Sequence, residues 1–129
     1  MSKPRTEDLS RRERQIMDAV YRLGKASAAE VQDAIPRPPS YTAVRTLLTI
    51  LQEKGHLKVG SDGTRYIYEP VVPRDEMAKS MIRHVTDTFF GGSVERAVST
   101  LLSSKDLNIS QEELGRLEKL IEQAKADSE

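Results

Sequence analysis

The sequence contains no cysteine and no tryptophan, and only two phenylalanines and four tyrosines among 129 residues. Without cysteine there can be no disulfide, no thiolate metal site and no cysteine nucleophile, which fits a reducing compartment. With so few aromatics, each half of the chain can bury only a thin core, and association of copies is a natural way to add burial. No apolar stretch follows the short polar segment Met1–Asp8 that could serve as a signal, and no run approaches a membrane span. The chain therefore reads as soluble and cytoplasmic, with no membrane partner, and Met1–Asp8 reads as a disordered tail or, failing that, an arm.

Net charge is also missing, with 20 basic against 20 acidic residues. The balance is uneven, however. Residues 1–72 hold 12 Lys and Arg against 9 Asp and Glu, and residues 73–129 hold 8 against 11. A basic front suits a chain whose first part meets an anion. Only two histidines occur, His56 and His84, in different segments, so no metal-ligand cluster is visible. The acid pairs Asp75-Glu76 and Glu112-Glu113 suit helix N-termini, where they meet the helix dipole. Neither a phosphate-binding glycine loop nor a nucleophile–base pair occurs. These absences argue against an enzyme, a metal site and a cofactor.

Helical period dominates what is present. Ser10 with Glu13 has capping-box spacing, and Ile16, Met17, Val20 and Leu23 follow on one face, up to Gly24. Ser27 with Glu30 repeats the pattern before Val31, Ala34 and Ile35, and Pro36, Pro38 and Pro39 end that segment. A third helix is expected from Ser40 to Lys54, with Val44, Leu47, Leu48 and Leu51 inward and Gly55 closing it. The period then changes. Leu57-Lys58-Val59, the turn Ser61-Asp62-Gly63-Thr64 and the run Arg65–Glu69 read as one hairpin.

Residues 74–126 return to helical stripes. The first holds Met77, Ala78, Met81, Ile82, Val85 and Phe89, broken by Gly91-Gly92. Val94, Ala97, Val98, Leu101 and Leu102 form the second. A third capping box, Ser110 to Glu113, precedes Leu114, Leu117, Ile121 and Ala124. The fold class is thus mainly α with a small β-hairpin. It divides into a winged helix-turn-helix DNA-binding domain over 1–72 and a C-terminal helical dimerisation region over 73–129. The apolar stripes have no second core to cover. The expected dimer seam comprises Met77, Met81, Val85, Phe89, Val98, Leu101, Leu102, Leu114, Leu117 and Ile121, with His84 beside it.

The third helix also has an outer side, with Thr42, Arg45, Thr46 and Thr49 at helical spacing and Tyr41 at its edge. Threonine is a poor helix former, so a threonine-rich outer face is unusual for solubility alone. Threonine methyls can meet thymine methyls, and arginine can take two guanine acceptors or a phosphate. The expected DNA-binding residues are Ser40, Tyr41, Thr42, Arg45, Thr46 and Thr49 on the helix, and Lys58 and Arg65 on the wing. Arg11, Arg12 and Arg14 meet phosphate or face water. Winged helices also serve as protein-interaction modules, which is the alternative; the polar, cationic outer face favours double-stranded DNA.

Leu9-Ser10 with Glu13 and Ile16-Met17, then Ser40-Tyr41-Thr42-Ala43-Val44-Arg45-Thr46-Leu47-Leu48, then Leu51-Gln52-Glu53-Lys54-Gly55 and Tyr66-Ile67-Tyr68, resemble the penicillinase-repressor (BlaI/MecI/CopY) family. The resemblance covers nearly the whole chain. It implies a homodimeric winged-helix repressor on a dyad operator, with contacts from Thr42, Arg45 and Thr46. It also implies control of β-lactam resistance or metal-export genes. Three departures stand out. Ile50 replaces an arginine common in the family, the C-terminal cysteine cluster of copper sensors is missing, and no Asn-Phe bond occurs where cleavable members carry one; the aligned pair is Ser99-Thr100. The inducing partner, a regulatory protease or a small effector, leaves no mark in the residues.

Overall fold

The computed structural model describes residues 9–128, so Met1–Asp8, read above as tail or arm, lies outside the described residues. Helix α1 (Arg11–Leu23) begins at a complete capping box. The Ser10 Oγ accepts from the Glu13 N–H at 3.1 Å, and the Glu13 carboxylate accepts from the Ser10 N–H at 2.9 Å. Helix α2 (Ala28–Asp33) starts the same way, on Ser27 and Glu30. Two orphan N–H groups are satisfied at each start, so chain direction is set locally before any packing. Gly24 ends α1 at φ 86°, a backbone conformation that few residues other than glycine adopt cheaply.

Helix α3 (Tyr41–Glu53) is capped by Ser40, whose Oγ accepts from the Ala43 N–H at 3.1 Å. The proline-rich link before it is tied down where the Gln32 side-chain amide donates to the Pro39 carbonyl at 3.1 Å. Strands β1 (Leu57–Ser61) and β2 (Tyr66–Pro70) pair antiparallel, in a register from Leu57 opposite Pro70 to Ser61 opposite Tyr66. Pro70 is the last residue of the second strand. An element the sequence did not suggest is a bridge from Ala26 to Tyr68, with mutual backbone hydrogen bonds of 2.9 and 2.8 Å. It ties the middle of β2 to the α1–α2 connection.

Ile16, Val20, Val31, Val44, Leu48 and Leu51 are fully buried and are joined by Leu57 and Tyr68 from the hairpin. Each such burial stabilises by about 1.5–3 kcal/mol. Three expected core positions differ. Leu23 is 44% exposed in the last turn of α1, and Ala34 and Leu47 are only partly buried. Period identifies a face but not where the covering element ends. Conversely Glu13 and His56 are buried.

The chain divides into two compact units, the first reaching Ser80 and the second starting at Met81. Helix α4 (Arg74–Phe89) is followed by positive-φ Gly91 and Gly92, then α5 (Val94–Ser103), a single 3₁₀ turn at Lys105–Leu107, and α6 (Gln111–Asp127). The 3₁₀ turn, closed by left-handed Asn108, had no signature in the periodicity. The expected third capping box is half formed: Ser110 Oγ accepts from the Glu113 N–H, and the return bond is not made. None of α4, α5 and α6 has a buried residue.

Candidate nucleic-acid interface

The inward residues of α3 anchor the helix through Val44, Leu48 and Leu51, which leaves the opposite side to solvent. Tyr41, Thr42, Arg45, Thr46 and Thr49 are all exposed. They line, with Ile50 and Glu53, an open groove of about 470 Å³. Arg45 forms no ion pair among the described residues, so its guanidinium is available to a ligand. The Thr46 and Thr49 hydroxyls donate back to the Thr42 and Arg45 carbonyls, each at 3.0 Å. Their protons are therefore committed to the helix, and what they offer outward is methyl groups and acceptor lone pairs. Ser40 uses its oxygen as the cap.

Beside this face lies a second cleft of about 510 Å³, between α3, the start of α2 and the hairpin. Tyr41 and Arg45 line it from the helix, and Tyr66, Tyr68 and Arg65 from the hairpin. Tyr66 is 60% exposed and was not among the expected contacts. The Tyr68 phenol is pushed up by burial, with the nearby Arg45 charge acting in the opposite direction. The tyrosines alternate along β2, so the period placed Tyr66 and Tyr68 on one face, but only the packed structure shows which helix that face meets.

The two expected wing cations differ. The Lys58 ammonium lies 3.7 Å from the Glu69 carboxylate, and both are well exposed. Arg65 is held far more firmly. Its Nε donates to Asp62 at 3.0 Å, and its terminal nitrogen donates to the Ser27 hydroxyl at 3.3 Å and sits 3.5 Å from the Glu30 carboxylate. Asp62 organises the turn, accepting from the Thr64 and Arg65 N–H groups and from the Thr64 hydroxyl. Those backbone donors, then Arg65, hold its carboxyl well below the usual carboxylate range. His56, just before the hairpin, is buried rather than presented to a ligand. Arg11, Arg12 and Arg14 are exposed on α1, and Arg12 donates to Gln15 at 2.7 Å.

Behind α3, Lys54 reaches across to α1 and meets both Glu13 oxygens at 3.1 and 2.8 Å. The Lys54 hydrogen bond first, then the Ser10 N–H, lowers the Glu13 carboxyl from 4.5 to about 2. This pair ties the end of the outward helix to the start of α1. The local sequence marks Glu13 only as a cap, because nothing near it in the chain signals a partner 41 residues away.

Three helices, a two-stranded hairpin and an outward third helix bearing threonines and an unpaired arginine define a winged-helix protein of the transcription-regulator class. Within that class, the chain belongs to the penicillinase-repressor family, whose profile matches residues 9–123. It is 23% identical over 118 residues to an uncharacterized 16.5 kDa protein in the ptsI 3′ region of Latilactobacillus sakei, covering 90% of this chain and 80% of that one. A solved structure of Bordetella bronchiseptica BpsR, described for the regulation of its DNA binding by 6-hydroxynicotinic acid, is similar over 94% of this chain and 78% of that one. Identity there is 12% and the TM-score 0.48.

Proposed function

We propose that the protein is a homodimeric repressor that reads a dyad operator, with α3 of each copy in a major groove. The observation that carries this reading is the outer face of α3. Tyr41, Thr42, Arg45, Thr46 and Thr49 are exposed together, and Arg45 has no acidic partner among the described residues. Arg45 is suited to guanine acceptors or phosphate, and the outward methyls of Thr46 and Thr49 to thymine. Ser40 acts as the cap that starts the helix, and the exposed Lys58 contributes a phosphate contact from the wing. The exposed apolar side chains of α4, α5 and α6 pair two copies. The half-sites then lie about one helical turn apart, or a small multiple of it. Occupancy of a promoter blocks polymerase, and the family name points to resistance genes as the regulated class.

The test is a gel shift with a duplex from the chain's own upstream region at two salt concentrations. Specific, salt-sensitive binding is expected. Arg45→Ala should weaken it by about 1–3 kcal/mol if Arg45 reads a base, with specificity relaxed at one position. A uniform loss across sequences would assign Arg45 to phosphate. Unchanged affinity, or no shift by the wild type, would remove the operator-binding reading in favour of a protein-interaction module.

A further inference from the structure

The wing cation Arg65 stands out because its charge is already spoken for. Two carboxylates and one hydroxyl surround a single guanidinium: Asp62 at 3.0 Å within the wing turn, and Glu30 at 3.5 Å and Ser27 at 3.3 Å at the start of α2. The two carboxylates in contact with Arg65 already neutralise its charge, which leaves little of it for a phosphate. The same Glu30 carboxylate oxygen accepts from the Ser27 N–H at 3.0 Å, and the Ser27 Oγ accepts from the Glu30 N–H at 3.2 Å. Arg65 therefore plugs into the capping box of α2, the helix that leads into α3. The middle of the hairpin has its own tether, the Ala26–Tyr68 bridge. Arg65 supplies one at the tip.

Resting on the operator-binding reading above, we propose that Arg65 is a positioning residue, a latch that fixes the wing tip on the start of α2 and so sets the angle between wing and recognition helix. It is not a phosphate contact. An exposed ion pair adds little to stability, but one guanidinium shared by three partners through two nitrogens restricts orientation. Lysine cannot reproduce that, because it presents one nitrogen where arginine uses two.

Three variants test this: Arg65→Lys, Glu30→Gln and the pair together. Glutamine at position 30 keeps the oxygen that caps Ser27 and removes only the charge facing Arg65. Affinity is measured by fluorescence anisotropy on the upstream duplex, across a salt series. A latch predicts that each single variant weakens binding about three- to ten-fold, that the double is no worse than the weaker single, and that the salt slope is unchanged. A phosphate contact predicts the opposite. Arg65→Lys would bind like wild type and Glu30→Gln as well or better, and either result overturns the latch. ¹⁵N relaxation on free protein gives a readout without DNA. The Gly63 and Thr64 amides should fall from an order parameter of about 0.85 towards about 0.6 in Arg65→Lys and Glu30→Gln. Unchanged order parameters overturn the latch. If the wild type shifts no duplex, the operator reading fails, and the relaxation data alone decide the latch.

Discussion

The Glu13–Lys54 pair is an ionic contact whose consequences are felt in folding rather than in binding. Glu13 is 5% exposed and holds a proton far less readily than an ordinary glutamate, with its carboxyl lowered to about 2. A depressed folded-state value means that the contribution is present above the unfolded value of about 4.5 and fades as pH falls towards 2. Glu13→Gln preserves the cap acceptor but removes the carboxylate charge that faces the Lys54 ammonium. We expect a loss of about 1–3 kcal/mol at neutral pH. Thermal melts of both proteins from pH 7 to pH 2 should converge at the acid end. Parallel curves over that range would show that the pair is not what links stability to pH.

At the scale of the element, α3 depends on the residue that caps it. The Ser40 hydroxyl satisfies the Ala43 N–H, and Ala43 cannot return the bond as Glu13 and Glu30 do on their helices. Ser40→Ala should therefore cost about 1 kcal/mol, read as a lowered melting temperature. It should also loosen the turn carrying Tyr41 and Thr42, with raised amide exchange confined to that turn. A drop in stability without local exchange would move the effect elsewhere. The hairpin shows the opposite balance. Asp62 alone takes four donors from Thr64 and Arg65. Its turn is thus organised from within, while its placement on the domain is set by Ala26 and Arg65.

At the scale of the molecule, the second unit presents a surplus of apolar surface. Phe89 is 70% exposed, Val94 69%, Leu120 65% and Leu101 54%, and Val85, Val98, Leu102 and Ile121 are also open. Of the expected seam, Met77, Leu114 and Leu117 are half-buried. Apolar exposure on this scale marks an association surface, and under the proposed function its occupant is a second copy. Sedimentation should find a dimer at micromolar concentration. Leu101→Asp or Phe89→Asp should give monomers with helical content intact. Operator affinity should then fall about 100-fold or more, because two half-sites are no longer engaged together. A monomeric wild type, or a variant that stays dimeric, would refute the seam.

Much of this was legible in the residues. The capping boxes at Ser10 and Ser27, the cap at Ser40, the inward set of Val44, Leu47, Leu48 and Leu51, of which Leu47 is only partly buried, and the outward set of Thr42, Arg45, Thr46 and Thr49 all follow from spacing. Helical period and terminal hydrogen bonds act within four residues, so a sequence displays them directly. The Ala26–Tyr68 bridge, the Glu13–Lys54 pair and the capture of Arg65 by Glu30 and Ser27 join positions tens of residues apart. No local pattern encodes them. Sequence alone determined which residues α3 turns towards its core and which towards solvent. Tertiary structure decided which outward charges stay unspent, because pairing depends on what the fold brings within about 4 Å.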